Sequence, residues 1–144
     1  MRYIFVVYLF SILAFGNSFE KFYNVVIDHT THKTWQDNDE VVDFFQTYDT
    51  AKVYCKMLTL NTHTNWRIPT IKELQTILDI KQKHFINKAF KNSSNNIYYT
   101  STPFAKDSSY NLGIDFGSGK IIKIDNKNSK YIIRCIRENN KSKL

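Results

Sequence analysis

Residues 66–74 read W-R-I-P-T-I-K-E-L and contain the clearest helix start in the chain. Thr70 and Glu73 have the spacing of a capping box, in which each side chain accepts a hydrogen bond from the backbone amide of the other residue. Pro69, directly before them, restricts the preceding residue to an extended backbone. The segment therefore predicts an extended entry into a helix. The apolar stripe of that helix is formed by Leu74, Ile77 and Leu78.

Another helix is predicted upstream, from about Tyr48 to Leu58. Thr47 can cap its first turn, and Asp49 places a negative charge near the positive end of the helix dipole. Four residues fall at positions i, i+3, i+4 and i+7 and share one face, namely Ala51, Tyr54, Cys55 and Leu58. Cys55 is therefore expected to point into the core.

The chain begins with a segment unlike the rest. Arg2 precedes an apolar run over residues 3–15 that only Ser11 interrupts, and the small residues of 16–18 follow it. This arrangement is typical of a secretory signal peptide, and we expect cleavage after Ser18. The alternative is an uncleaved anchor, but a membrane-spanning helix needs roughly 20 apolar residues. We therefore expect a periplasmic or secreted protein with no transmembrane segment after signal cleavage.

Cys55 and Cys135 are the only cysteines. In an exported protein an even pair of cysteines indicates a disulfide. The alternatives are two free thiols or half of a metal site, although a metal site needs further ligands at short spacing and no C-x-x-C string is present. Closing so long a loop is expected to stabilise the fold by about 4.5 kcal/mol.

The rest of the chain is predicted to form short strands and loops. Strands are predicted in residues 23–36, where the turn-like residues 28–32 form a hairpin. Further strands are predicted in residues 97–102, 112–116, 121–124 and 131–136, and residues 117–119 form a second hairpin turn. The acidic residues 37–40 are expected to be a loop. Together with the two helices, these strands predict a single α+β domain over residues 19–137, followed by a polar tail over residues 138–144.

The composition is basic, with a formal net charge of +7 over 144 residues. Such a balance suggests acidic partners, although lysines spread along a chain can equally serve solubility. The lysines that we consider candidates for polyanion binding are Lys81, Lys83, Lys88 and Lys91, together with Lys120 and Lys123 on the predicted hairpin. The partners that we expect are an anionic glycan or an envelope protein, and not nucleic acid.

Few residues suggest chemistry. The Trp66 indole can stack on a sugar and the Arg67 guanidinium can bind a sulfate, but both side chains can equally be structural. Glu73 is accounted for by the capping box. The four histidines have no nearby carboxylate or cysteine that completes a site, and no nucleophile-elbow, P-loop or dinucleotide-binding string is present. We therefore expect no catalytic residues, no metal and no cofactor.

Several blocks resemble the Lcl C-terminal domain family. Residues 66–74 resemble its W-R-L-P-T-x-x-E-L signature. The other blocks, in the expected order, are Trp35-Gln36-Asp37, residues 51–58, residues 98–102, Asp115-Phe116 with Gly119, and Arg134-Cys135-Ile136-Arg137. They cover most of residues 28–137. Two departures are Tyr99, where the family usually has Trp, and residues 32–34, where Gly-Leu is common.

The resemblance implies a C-type-lectin-like α+β fold related to that of formylglycine-generating enzymes. It also implies a disulfide between the first helix and the final strand, and exported or surface-attached bacterial modules. The namesake group is a collagen-like adhesin whose terminal domain is associated with sulfated glycosaminoglycans. We expect a non-enzymatic binding module for anionic glycans or a surface partner. A structural envelope-assembly protein is the alternative, and a formylglycine-generating-type oxidase is less favoured because the one cysteine pair is assigned to a disulfide.

Overall fold

Two β-sheets and three short α-helices form residues 18–139, the part of the chain that the computed structural model describes. The expected signal peptide falls almost entirely outside these residues and stays a prediction. The strands are β1 (Phe19–Phe22), β2 (Val25–Asp28), β3 (Lys33–Gln36), β4 (Phe45–Gln46), β5 (Ile97–Pro103), β6 (Tyr110–Asp115), β7 (Lys120–Asp125), β8 (Tyr131–Ile132) and β9 (Ile136–Glu138). The α-helices are α1 (Glu40–Asp43), α2 (Tyr48–Met57) and α3 (Ile71–Gln75), and Lys83–Phe85 forms a 3-10 turn.

The first sheet has the strand order β1-β2-β3-β9, and all of its neighbouring strands are antiparallel. Its register aligns Ile27 with Thr34 and Thr34 with Arg137. Side chains alternate between the faces of a sheet, so these three share one face. The opposite face, which carries Trp35 and Ile136, lies in the main hydrophobic core.

The second sheet has the strand order β4-β8-β5-β6-β7. β5 and β8 are joined by a parallel bridge, while the other neighbours are antiparallel. The predicted hairpin is β6 and β7, and its turn contains Gly119 at φ 72°, a left-handed conformation that glycine adopts without steric cost. The α+β class is confirmed.

Both predicted helices are present, and each begins at its predicted cap. However, α3 ends at Gln75, so Ile77 and Leu78 of the predicted apolar stripe lie beyond the helix. Thr47 accepts a hydrogen bond from the Thr50 amide at the start of α2, which ends one residue earlier than expected. At α3 the capping box is complete: the Glu73 amide donates to Thr70 Oγ1 over 3.2 Å, and the Thr70 amide donates to Glu73 Oε2 over 2.8 Å. Local sequence thus determines both starts.

The disulfide between Cys55 and Cys135 is confirmed, and both cysteines are completely buried. It ties α2 to the segment directly before β9. Around it lies a second hydrophobic cluster that includes Trp66, Ile68 and Tyr99. The crosslink therefore joins the helix on one side of this cluster to the first sheet on the other.

The last predicted strand, 131–136, was wrong in its extent. It is split into β8 and β9, which belong to different sheets, and Cys135 lies in the break between them. The Cys135 amide donates to the Gln36 side chain over 3.0 Å instead of to a neighbouring strand. The predicted tail also begins too early, because Glu138 belongs to β9 and pairs with Lys33 over 3.0 Å.

The predicted acidic loop is present over residues 37–39, but it does not extend to residue 40. Asp37 is completely buried, and Glu40 begins α1. In the predicted strand region 23–36, Tyr23 occupies a tight turn at φ 49°, and β1 precedes this turn. The buried acid has the larger consequence, because it organises the surface described next.

Candidate functional site

A completely buried ion pair lies between the two sheets. Arg134 donates from Nη1 to Asp37 Oδ1 over 2.9 Å, and both side chains are 0% exposed. The Arg134 guanidinium also lies over the Phe90 ring, 4.9 Å from its centroid. Removing a carboxylate and a guanidinium from water is costly unless each finds its partner and further hydrogen bonds. These residues therefore act as a structural centre.

Asp37 also holds the loop that carries four of the candidate lysines. Its carboxylate accepts the backbone amides of Lys91 and Asn92 over 2.9 and 3.1 Å. Lys21 makes an ion pair with the same carboxylate. On the other side of the loop, Arg134 donates to the Asn92 carbonyl over 2.5 Å. The backbone of residues 91–92 is thus fixed by charges in the core.

Three lysines of this loop converge. Lys83, Lys88 and Lys91 line one surface depression of about 270 Å³, whose other lining residues are Gln82, Ile86, Phe90 and Ser93. All three side chains are exposed, and none makes a salt bridge within residues 18–139. We call these three residues the lysine surface.

The other candidate lysines have different surroundings. Lys81 is exposed and precedes the 3-10 turn, while Lys120 follows Gly119, which packs against Phe85 of that turn. Lys123 lies over the rings of Tyr110 and Phe104, with Nζ 4.2 and 5.3 Å from their centroids. The structure therefore brings together three of the six lysines, and places Lys120 beside the turn that carries Lys83.

Trp66 and Arg67 are both engaged in the fold. Trp66 is only 3% exposed, and its indole N–H donates to the His63 carbonyl over 2.9 Å. Arg67 makes two hydrogen bonds to the Glu73 carboxylate, of 2.8 and 2.7 Å, and a third to Glu138 of 2.6 Å. This geometry favours the structural interpretation of the W-R-I-P-T segment over a ligand platform.

The ion cluster formed by Arg67, Glu73 and Glu138 lowers the pKa of Glu73. Burial alone would raise the pKa of Glu73, but hydrogen bonds from Arg67 and the Thr70 amide outweigh burial and lower it to about 2. Lys33 adds to the effect, with its Nζ 3.6 Å from Glu73 Oε1. Because the folded-state pKa lies below the unfolded value, the ionised carboxylate stabilises the fold above pH 4.5, and this stabilisation is lost as pH falls toward 2.

We expect the variant Glu73→Gln to flatten the acid dependence of stability. At neutral pH it should lose about 1–2 kcal/mol of unfolding free energy, a value reduced from the full pKa shift because the ion cluster is partly solvated. Near pH 3 the variant and the wild type should differ by much less. Urea unfolding at both pH values measures this. The control is Asp43→Asn, which removes an exposed carboxylate, and equal acid dependence in all three proteins would contradict the expectation.

One cleft has a volume of about 540 Å³ and was not foreseen from the sequence. It lies between α2 and the W-R-I-P-T segment, and its lining residues are Tyr48, Lys52, Lys56, Trp66, Arg67, Ile68, Thr70 and Ser101. Lys52 is held over the Tyr48 ring and pairs with Asp49 over 2.8 Å. The i, i+4, i+8 spacing of Tyr48, Lys52 and Lys56 was the only sequence signal for it.

Within residues 18–139, no three of the His, Cys, Asp and Glu side chains gather closely enough to hold a metal ion. Helices of this same region are too short or too polar to cross a bilayer.

The sequence model of the Lcl C-terminal domain family matches residues 24–137, which is well over half of the chain. The matched range includes the buried ion pair, the disulfide, the capping box and the lysine surface. No curated protein matches the chain.

Proposed function

We propose that this chain, which belongs to the Lcl C-terminal domain family, is an exported, non-enzymatic binding module for an anionic glycan. The observation that carries the proposal is the lysine surface, where Lys83, Lys88 and Lys91 surround one depression. Three uncompensated ammonium groups on a loop fixed from the core create a local positive potential that attracts polyanions. The net charge of +7, which becomes +6 when Arg2 leaves with the signal peptide, acts in the same direction.

The kind of surface suits a polymer better than a small molecule. Lysine ammonium groups are point charges on flexible stems, so they can meet sulfate or carboxylate groups at variable spacing. The depression is open to solvent, and its lining includes Ile86 and Phe90, against which the carbon faces of sugar rings can lie. Binding of this kind weakens as salt screens the charges.

The export and the absence of enzyme activity are supported by the cysteines. Both form a buried disulfide, which fits an oxidising compartment. The pair has no thiolate to offer for oxidase chemistry, since thiolate nucleophiles must be free and accessible. The sequence also contains no nucleophile-elbow string that would indicate a catalytic serine.

The triple variant Lys83→Gln, Lys88→Gln, Lys91→Gln should bind immobilised heparin at least tenfold more weakly than the wild type. Each substitution removes one charge and keeps a polar side chain of similar length, so the fold should be retained. The measurement is the dissociation constant at low salt by surface plasmon resonance.

The matched control for that experiment is Lys106→Gln, Lys127→Gln, Lys130→Gln. It removes the same net charge from exposed lysines elsewhere. If both triple variants lost affinity equally, attraction would come from overall charge, and the lysine surface would not be the binding site.

A structural envelope-assembly role is the second candidate. The apolar lining of the cleft beside α2 favours it, as do Val53 and Met57 on the outward face of the same helix, which are 56% and 77% exposed. Exposed apolar residues next to a cleft are typical of a surface that receives a side chain of a partner protein. This function would be favoured if the wild type crosslinked to an envelope protein and Met57→Glu abolished the crosslink without changing the affinity for heparin.

A further inference from the structure

Arg137 is a buried cation that has no acidic partner among residues 18–139. The residue is only 6% exposed. The one hydrogen bond that its side chain makes to the described residues runs from Nε to the Thr64 carbonyl over 3.1 Å. By contrast, Arg67 and Arg134 are each paired with carboxylates. Within residues 18–139 no carboxylate lies within 4.0 Å of the Arg137 guanidinium, and its Nη atoms donate to no described group.

Arg137 lines a cavity of its own. The cavity has a volume of about 270 Å³, and its lining residues are Ile27, Thr34, His63, Arg137 and Asn139. It lies on the face of the first sheet where Ile27, Thr34 and Arg137 form one row across β2, β3 and β9. The lysine surface is built from a different loop and shares no lining residue with it.

Apart from Arg137 and His63, the residues that line the cavity carry no ionisable side chain. The Thr34 hydroxyl donates to Asn139 Oδ1 over 2.5 Å, so the Asn139 side-chain N–H groups remain as donors. Ile27 supplies an apolar wall. The Trp66 ring centre lies 6.0 Å from Arg137 Cζ, within reach of a cation–π attraction, and the bond from Nε to the Thr64 carbonyl holds the guanidinium in place. The two Nη groups of Arg137 therefore lie as hydrogen-bond donors beside the apolar side chain of Ile27.

We propose that this cavity binds a carboxylate group, with its two oxygens on the Nη donors of Arg137. A guanidinium matches a carboxylate in shape and in charge, and the pair is stronger where water is partly excluded. One positive charge compensates one negative charge. The Ile27 wall accommodates the carbon skeleton of the acid, and the volume suits a small acid or a single sugar-acid ring. This site is independent of the lysine surface and of the proposed polymer binding.

The test is an NMR titration of the ¹⁵N-labelled protein with sodium acetate and with sodium glucuronate, each against sodium chloride at equal ionic strength. We expect saturable shifts of the Arg137 Nε–Hε signal and of the Thr34 and His63 amides with the carboxylates, and none with chloride. Saturable binding of acetate would show that a small carboxylic acid is a sufficient ligand. Tighter binding of glucuronate would show that the preferred ligand is a sugar acid. Equal shifts with chloride, or no saturation with either acid, would overturn the proposal.

Two variants separate binding from folding. Arg137→Lys keeps the charge but removes the fork, and should weaken carboxylate binding at least tenfold. Thr34→Val keeps Arg137 in place but removes a polar wall atom, and should weaken binding about threefold. The control Lys106→Gln, at an exposed lysine outside both sites, should leave carboxylate binding unchanged. If Arg137→Lys does not fold, the Arg137 Nε–Hε signal of the wild type and the affinity of Thr34→Val still test the site. Undiminished carboxylate affinity in Thr34→Val would contradict it.

Discussion

Replacing Asp37 with Asn should lower the free energy of unfolding by about 3–5 kcal/mol, because it leaves the guanidinium of Arg134 buried without a counter-charge. Both side chains are 0% exposed, so water cannot replace the lost carboxylate. The substitution preserves shape, and the loss is therefore electrostatic. Against a typical domain stability of about 5–15 kcal/mol, the effect is large. Urea unfolding monitored by tryptophan fluorescence measures it.

Two further variants make this prediction specific. Asp39→Asn removes an exposed neighbouring acid and should change stability by less than about 0.5 kcal/mol. Adding Arg134→Met to Asp37→Asn removes the unpaired charge and should recover part of the loss. If Asp37→Asn were as mild as Asp39→Asn, the buried pair would not be the structural centre of the fold.

The Asp37 substitution should also loosen the lysine surface. The amides of Lys91 and Asn92 lose a charged acceptor that now lies 2.9 and 3.1 Å away. Hydrogen exchange at these two amides should become at least tenfold faster than the change in global stability explains. Unchanged exchange would show that the loop is held by other contacts.

Removing the disulfide should have an effect of similar size. The variant Cys55→Ala, Cys135→Ala opens a crosslink between residues 80 apart in sequence, and loop entropy gives a loss of about 4.5 kcal/mol. Both sulfur atoms are buried, so packing in the cluster around Trp66 is lost as well. The double variant should be largely unfolded at 37 °C, as circular dichroism would show.

Chemical reduction is the matched comparison for that variant. The wild-type protein treated with a phosphine reductant under mild denaturation should approach the stability of the double variant, since both lack the crosslink. A double variant that keeps wild-type stability would mean that the tie between α2 and the strand before β9 contributes little.

Local signals predicted local structure well. The caps at Thr47 and Thr70 lie where the sequence indicates, because a capping side chain bonds to backbone only two or three residues away. The inward direction of Cys55 followed equally from helical periodicity. The hairpin was predictable because its turn requires a glycine at a positive φ angle, and Gly119 supplies it.

Nonlocal contacts were not predictable from the sequence pattern. Asp37 stands in an acidic stretch that resembles a solvated loop, and only its partner Arg134, 97 residues away, explains its burial. The division of the predicted strand 131–136 into β8 and β9 was equally unpredictable, because the chain passes there from the second sheet to the first. Arg67 was expected to be free for a ligand or tied to the fold, and Glu138, which helps to hold it, was assigned to the tail.

The candidate site was predicted in composition but not in shape. The sequence analysis proposed six lysines, and the fold gathers Lys83, Lys88 and Lys91 around one depression. Asp37 fixes the end of their loop at residues 91–92. Lys123 is turned toward two aromatic rings instead. The Arg137 cavity carried no sequence signal, since an arginine in a strand shows nothing about whether an acid lies beside it.

The most direct test of the proposed function is calorimetric titration of the mature protein with a sulfated oligosaccharide at about 50 mM and about 300 mM salt. We predict saturable binding at the lower salt, with a dissociation constant that rises at least tenfold at the higher salt. A protein that is folded and disulfide-bonded but gives no binding heat at the lower salt, at several temperatures, would contradict the assignment as a polyanion-binding module.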